Sequence, residues 1–245
     1  MQMKMPPIPM REALHYRGWR GTPVEPELLE QIHALIALAE RGVQPHVAMR
    51  RFGMDEDGRL QGTALIPQGG DVRRMLSGCH EAVLLAATLG AGSERMLLKA
   101  QAKSGAEAVL LDAVLSAAIE AVCDAQEAAL RRTLGAQGLY LTDRFSPGYG
   151  DMPLVQSAQI LAVLDAPRRI GLTLSANGLM LPRKSVTAVM GVSRKPVARR
   201  PSGCEACGAR LTCALRRGRE LSDGAEEVRD SGSVENGMKN GGNRG

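Results

Sequence analysis

From Ser104 to about Leu134 a single helical signal runs without interruption, and a helix of that length dictates what the rest of the chain must build around it. Ser104-Gly105-Ala106-Glu107 has the spacing of a capping box, in which the serine hydroxyl and the glutamate satisfy free N–H groups of the first turn. Val109, Leu110, Ala113, Val114, Ala117, Ala118, Ala121, Val122 and Ala125 then recur at a period of 3.6. At 1.5 Å per residue such a helix spans about 45 Å. Its alanines allow neighbouring elements to approach closely. Glu120, Asp124 and Glu127 lie on or beside this stripe. They read either as a solvated helix face or as part of a site.

The segments around this helix mix both periods. Leu28, Leu29, Ile32, Leu35, Ile36 and Ala39 have helical spacing after Pro26, and Gly42 ends the run. His46 to Phe52 reads as a strand, Asp55-Glu56-Asp57-Gly58 as a turn, and Gln61 to Ile66 as the returning strand of a hairpin. Asp71 to Ser77 is a short helix. Ala82 to Leu89 is an unbroken apolar run of strand length, closed by Gly90-Ala91-Gly92, and a helix comes next from Ser93 to about Ala102. Gln156 to Leu164 is helical, with Asp151 as its expected cap. The chain has 245 residues, enough for a sizeable core. It holds only six aromatics, so aliphatic side chains and twelve methionines must fill that core.

Two of the six aromatics fall in one eight-residue stretch, Arg144-Phe145-Ser146-Pro147-Gly148-Tyr149-Gly150-Asp151. Pro147 fixes its own φ, while Gly148 and Gly150 can take positive φ and admit another molecule close to the backbone. A guanidinium beside such a loop suits a planar carboxylate or a phosphate. A tight turn between two elements is the plainer reading of the same residues.

Downstream lie Arg169-Ile170-Gly171-Leu172-Thr173-Leu174-Ser175 and Met180-Leu181-Pro182-Arg183-Lys184-Ser185-Val186. The three segments, in this order, resemble the activation domain of vitamin B12-dependent methionine synthase. That family carries an Arg-x-x-x-Gly-Tyr loop, an Ile-Gly-x-x-Leu-Thr strand and a Met-x-Pro-x-x-Ser-Val segment. The match falls on Arg144, Gly148 and Tyr149, then Gly171 and Leu174, then Met180, Pro182, Ser185 and Val186, within residues 142–191. The resemblance implies an α+β fold, a twisted and mainly antiparallel sheet flanked by long helices. The order of elements agrees with that.

The resemblance also implies a ligand. Members of the family bind S-adenosylmethionine and present it to cobalamin; one electron and the ligand's methyl group restore methylcobalamin from inactive cob(II)alamin. On this reading Arg144 grips the carboxylate, and Pro147, Gly148, Tyr149 and Gly150 line the ligand. Tyr149, offering a ring face or a hydroxyl to the sulfonium, is the candidate catalytic residue. Glu120 is the implied acid on the long helix, with Asp124 in reserve. No residue matches the family's other ligand acid. The chain would then act as a stand-alone module on a methionine synthase that lacks its own activation domain, with the cobalamin on that partner. A flavodoxin- or ferredoxin-like protein would supply the electron. The chain is not expected to make methionine alone.

Charge is concentrated near the C-terminus. Arg194, Lys195, Arg199, Arg200, Arg210, Arg216, Arg217 and Arg219 face a single acid, Glu205, so this stretch carries +7 and the rest of the chain −2. No aromatics are interleaved for base stacking, which argues against nucleic acid as the partner. Within the same stretch Cys204, Cys207 and Cys213 have C-x2-C-x5-C spacing. Two residues between cysteines let both sulfurs address one ion. Zinc or an iron–sulfur cluster, with Cys79 as a further ligand, a redox-active thiol set and inert cysteines all fit. The cluster reading would make the chain a redox protein that passes electrons to a corrinoid protein. We therefore divide the chain into an α+β domain over 1–193, a basic cysteine module over 194–217 and a disordered tail over 218–245. No run is apolar enough to span a membrane and no secretory signal is evident, so the cytoplasm is the expected compartment.

Overall fold

The computed structural model describes residues 3–19 and 24–197. In chain order the elements are α1 (Met10–Tyr16), α2 (Pro26–Gly42), β1 (His46–Gly53), α3 (Gly70–Leu76), β2 (Glu81–Thr88), α4 (Ala91–Lys103), α5 (Gly105–Gly135), β3 (Tyr140–Leu141), α6 (Gln156–Leu164), α7 (Ala166–Ile170), β4 (Thr173–Leu174), β5 (Met180–Leu181) and β6 (Ser185–Ser193). The fold is α+β. A four-stranded antiparallel sheet, ordered β1-β2-β6-β3, forms the middle layer.

β2 explains why the apolar run at Ala82 is continuous rather than alternating. Val83, Leu85 and Ala87 face the core built with α1, α2, α4 and α5. Ala82, Leu84 and Ala86 face a second core built with α3, α6 and α7. A strand covered on both faces must be apolar at every position. Leu84 and Leu85 are fully buried, each worth about 1.5–3 kcal/mol of transfer free energy.

α5 is 31 residues long, about 46 Å, and Ser104 accepts the Glu107 N–H at its start as the capping box predicts. Its buried stripe includes Leu111, Val114, Leu115, Ala118 and Val122.

Three expectations are corrected. Gln61 to Ile66 is not a strand: only Met54 and Leu60 make a bridge, and β1 pairs instead with β2 along its whole length. Thr63 folds the segment into a turn, its hydroxyl donating to Leu60 O at 2.8 Å, with Gly62 at φ +74°. Ile170 ends a helix rather than opening a strand, and the next strand is two residues long. Finally, Asp151 caps α3 and not α6. The structure adds α1, which the sequence pattern does not reveal.

Candidate functional site

The acids of α5 lie on the helix face that looks away from its buried stripe. Residues 120, 124 and 127 are spaced to share one face, and residues 112, 116 and 131 continue the line. The segment 142–145 comes to this face because β6 holds it. Thr142 N–H donates to Gly191 O at 2.9 Å, and Gly191 N–H donates to the Thr142 hydroxyl at 2.8 Å. Phe145 and Val189 exchange both backbone hydrogen bonds at 2.9 Å. Between these anchors Arg144 has one direction to go, over α5.

There its guanidinium meets three carboxylates. Nη2 donates to Asp124 at 2.7 Å and to Glu120 at 3.1 Å, and Nη1 donates to Glu127 at 2.9 Å. Glu127 is shared, taking Arg131 Nη2 at 2.7 Å on its other oxygen, and Arg131 also binds Asp143 at 2.8 Å. Two cations thus stand among four carboxylates. Burial opposes the charge on Arg144, yet the coupling to Cys123 and the Asp124 and Glu127 partners outweigh it and hold its pKa above the ordinary value. Arg144 is a permanent cation here. Of its five N–H donors, three are used, which leaves Nε and one N–H of Nη1 without a partner among the described residues. Cys123 sits behind the cluster. Burial pushes its thiol up to about 12, against the pull of Arg144, so it is not a nucleophile at neutral pH.

The partners differ in how firmly they are held. Glu127 is 17% exposed and Asp124 is 72% exposed. An exposed pair of the Asp124 kind contributes only about 0–1 kcal/mol, so Asp124 can be exchanged for another carboxylate at little cost.

The loop after Arg144 is pinned at both ends. Phe145, Pro147 and Met152 are buried, and Gly148 N–H donates to Met152 O at 2.9 Å. Gly148 has φ +92°, which a side chain would strain. Gly150 also has positive φ, +52°, and a Cβ there would meet the Asp71 carboxylate of α3. Tyr149 stands at the tip, 72% exposed, and its hydroxyl makes no hydrogen bond among the described residues. Asp151 reaches back across the loop. Its carboxylate accepts the N–H groups of Asp71 at 3.0 Å and Gly70 at 2.5 Å, which lowers its pKa.

The turn between β5 and β6 closes the upper end of the acid line. Lys184 Nζ binds Asp112 at 2.9 Å and the Ser116 hydroxyl at 2.8 Å. Arg183 Nε binds Glu94 at 3.0 Å, and the Ser185 hydroxyl donates to Pro182 O at 2.6 Å. Beyond the Phe145 pair, no described strand covers the edge of β6. By the alternation of antiparallel bonding, the N–H and C=O of Thr187 point to that side, where the residue is buried.

The fold has a counterpart of known structure. The chain matches the crystal structure of the MetH reactivation domain bound to AdoHcy, with a TM-score of 0.57 over 81% of this chain and 79% of that chain, at 14% identity. The fold is that of the MetH reactivation domain. No family model matches the chain, and no curated protein does.

Of the residues singled out in the sequence, the structure brings Arg144 and Glu120 together, with Asp124 beside them. It places Tyr149 on the same loop but shows no contact between it and the acids. Pro147 and Gly150 serve the packing of the loop. Glu127, noted in the sequence with the other acids of this helix, joins them, and Arg131 and Lys184 are the additions. Cys204, Cys207 and Cys213 lie outside the described residues, as does the 218–245 tail. Among the described residues no group of three His, Cys, Asp or Glu side chains is placed to hold a metal ion. No described helix is long and apolar enough to cross a membrane.

Proposed function

We propose that this chain binds S-adenosylmethionine at the junction of α5 and the Arg144 loop, and serves in trans as the reactivation module of a B12-dependent methionine synthase. The observation that carries this reading is the Arg144 cluster, found in a fold shared with a domain solved with AdoHcy bound. The residues suit such a ligand on two counts. Arg144 keeps its Nε–H free, and displacing the exposed Asp124 opens an Nη2 N–H for a carboxylate. The cluster has two more carboxylates than cations, which favours a ligand that also carries positive charge, as an amino group and a sulfonium do.

The bound ligand would supply a methyl group on a sulfonium. The chain's own residues would bind and orient it: Arg144 as the fork on the carboxylate, Glu120 and Asp124 near the cationic end, and Tyr149 at the exposed rim. Cobalamin would remain on the partner, a methionine synthase lacking its own activation domain, and a flavodoxin- or ferredoxin-like protein would deliver the electron. Reactivation assayed with such a methionine synthase, an electron donor and S-adenosylmethionine tests the whole reading. Recovery of turnover only when this chain is added is the expected result; equal recovery without it contradicts the proposal.

A further inference from the structure

Arg131 has no part in holding the ligand under the proposed function, yet it touches both the acid beneath Arg144 and the chain that carries Arg144. Its Nε and Nη2 donate to one oxygen of Glu127, at 3.1 and 2.7 Å. The other oxygen of Glu127 accepts Arg144 Nη1 at 2.9 Å. Arg131 Nη2 also donates to Asp143 at 2.8 Å and to Thr142 O at 3.0 Å, and Nη1 donates to Leu141 O. One side chain thus ties three consecutive residues, those just ahead of Arg144, to the acid face of α5.

The bonds to β6 fall on Thr142 and Phe145, on either side of Asp143 and Arg144. Arg131 stands one turn beyond Glu127 on the same helix, so its place relative to Glu120 and Asp124 is fixed by α5 itself. A guanidinium suits this position, since its N–H donors in one plane reach two carboxylates and two carbonyls together. An ammonium on a flexible stem has no such fork.

The contact with Glu127 has a consequence for ligand binding. While Arg131 occupies one oxygen, Glu127 meets Arg144 through the other alone. Without Arg131, Glu127 is free to turn both oxygens onto the Arg144 guanidinium, the bidentate form that a ligand carboxylate must itself adopt. Glu127 is sheltered where Asp124 is exposed, so a ligand would displace it less readily.

We propose that Arg131 is a positioning residue: it holds Glu127 to a single oxygen on Arg144 and residues 141–143 against α5, and so keeps the Arg144 fork open for the carboxylate of S-adenosylmethionine. This inference rests on the ligand reading above and deepens it.

The test is calorimetric titration of S-adenosylmethionine into the full chain, Arg144→Ala, Arg131→Met and the double variant Arg131→Met/Glu127→Gln, with urea unfolding of each to show that it folds. Arg131→Met should weaken binding by about tenfold, because apparent affinity falls with the population of the open fork. Adding Glu127→Gln should recover most of that loss, since a carboxamide has one oxygen and cannot close a two-oxygen fork on Arg144. A merely structural role would give no such rescue, because the second substitution removes a further charge from the cluster. If Arg131→Met does not fold, Arg131→Gln, which keeps a polar head but no cation for Glu127, replaces it in both variants with the same loss and rescue expected. Binding by the Arg131 variant within about twofold of the parent, or an undiminished loss in the double variant, overturns this inference alone when Arg144→Ala is weakened as expected. A parent that does not bind S-adenosylmethionine, or an Arg144→Ala variant that binds as the parent does, overturns the ligand reading and this inference with it.

Discussion

Arg144 and Glu127 meet at 2.9 Å with only 16% and 17% of their side chains exposed, and Glu127 gives its other oxygen to Arg131. One carboxylate therefore joins the loop, through Arg144, to the end of α5, through Arg131. Removing it leaves two half-sheltered cations short of a partner. We expect Glu127→Ala to cost about 1.5–3 kcal/mol, the range for a hydrogen bond to a charged group. Asp124→Ala, on an exposed acid bound to the same guanidinium, should cost about 0–1 kcal/mol. Urea unfolding of both variants checks the order, and equal costs would show that burial does not rank the two contacts.

Asp151 provides a test in pH. Its carboxylate binds the first N–H groups of α3, so its pKa falls below the ordinary aspartate value in the folded chain. The folded state therefore holds this proton less tightly than the unfolded state. The stabilisation is present above the unfolded pKa and is lost as the pH falls through the lower folded value. Asp151→Asn should lower the urea midpoint at neutral pH, and its difference from the parent should close as the pH drops below the unfolded value of about 3.9. A difference that persists undiminished in acid would assign the effect to something other than the charge.

Gly191 should resist substitution for a reason outside its own strand. A Cβ there would stand 2.5 Å from the Cys79 sulfur and 3.0 Å from Leu76 Cδ2. Gly191→Ala is expected to destabilise by about 1–3 kcal/mol through overpacking. Adding Cys79→Ala should return part of that loss, since it removes the nearer atom. Thermal unfolding of the single and double variants measures the coupling, and strictly additive effects would contradict the contact.

How far the sequence leads depends on whether a signal is local. β2 and α5 are legible because burial on both faces, or along one stripe, writes itself into every residue of the element. The hairpin expected from Asp55-Glu56-Asp57-Gly58 stops at its turn and the Met54–Leu60 bridge, because Gly62 and Thr63 turn the chain again before it can run along the outer edge of β1. Asp151 is misread because the groups it binds are far off in the chain. Its nearest helix in sequence is α6, but the N–H groups it satisfies belong to residues 70 and 71. The candidate site obeys the same rule. Glu120, Asp124 and Glu127 share a face by spacing alone, whereas their meeting with Arg144 depends on β6 holding residues 142–145 over that face.

The ligand reading stands or falls on Arg144. A charge-assisted bidentate contact is worth on the order of 1.5–3 kcal/mol, so Arg144→Ala should weaken S-adenosylmethionine binding by about 10- to 150-fold. Arg144→Lys should recover only part of it, because an ammonium cannot present the planar fork. Asp124→Ala serves as the counter-test, since it vacates a guanidinium position without removing the cation. Calorimetric titration of S-adenosylmethionine into the parent and Arg144→Ala is the most direct measurement. The account predicts saturable binding by the parent and a loss of at least about tenfold in the variant. No binding by the parent, or equal binding by both, would contradict it.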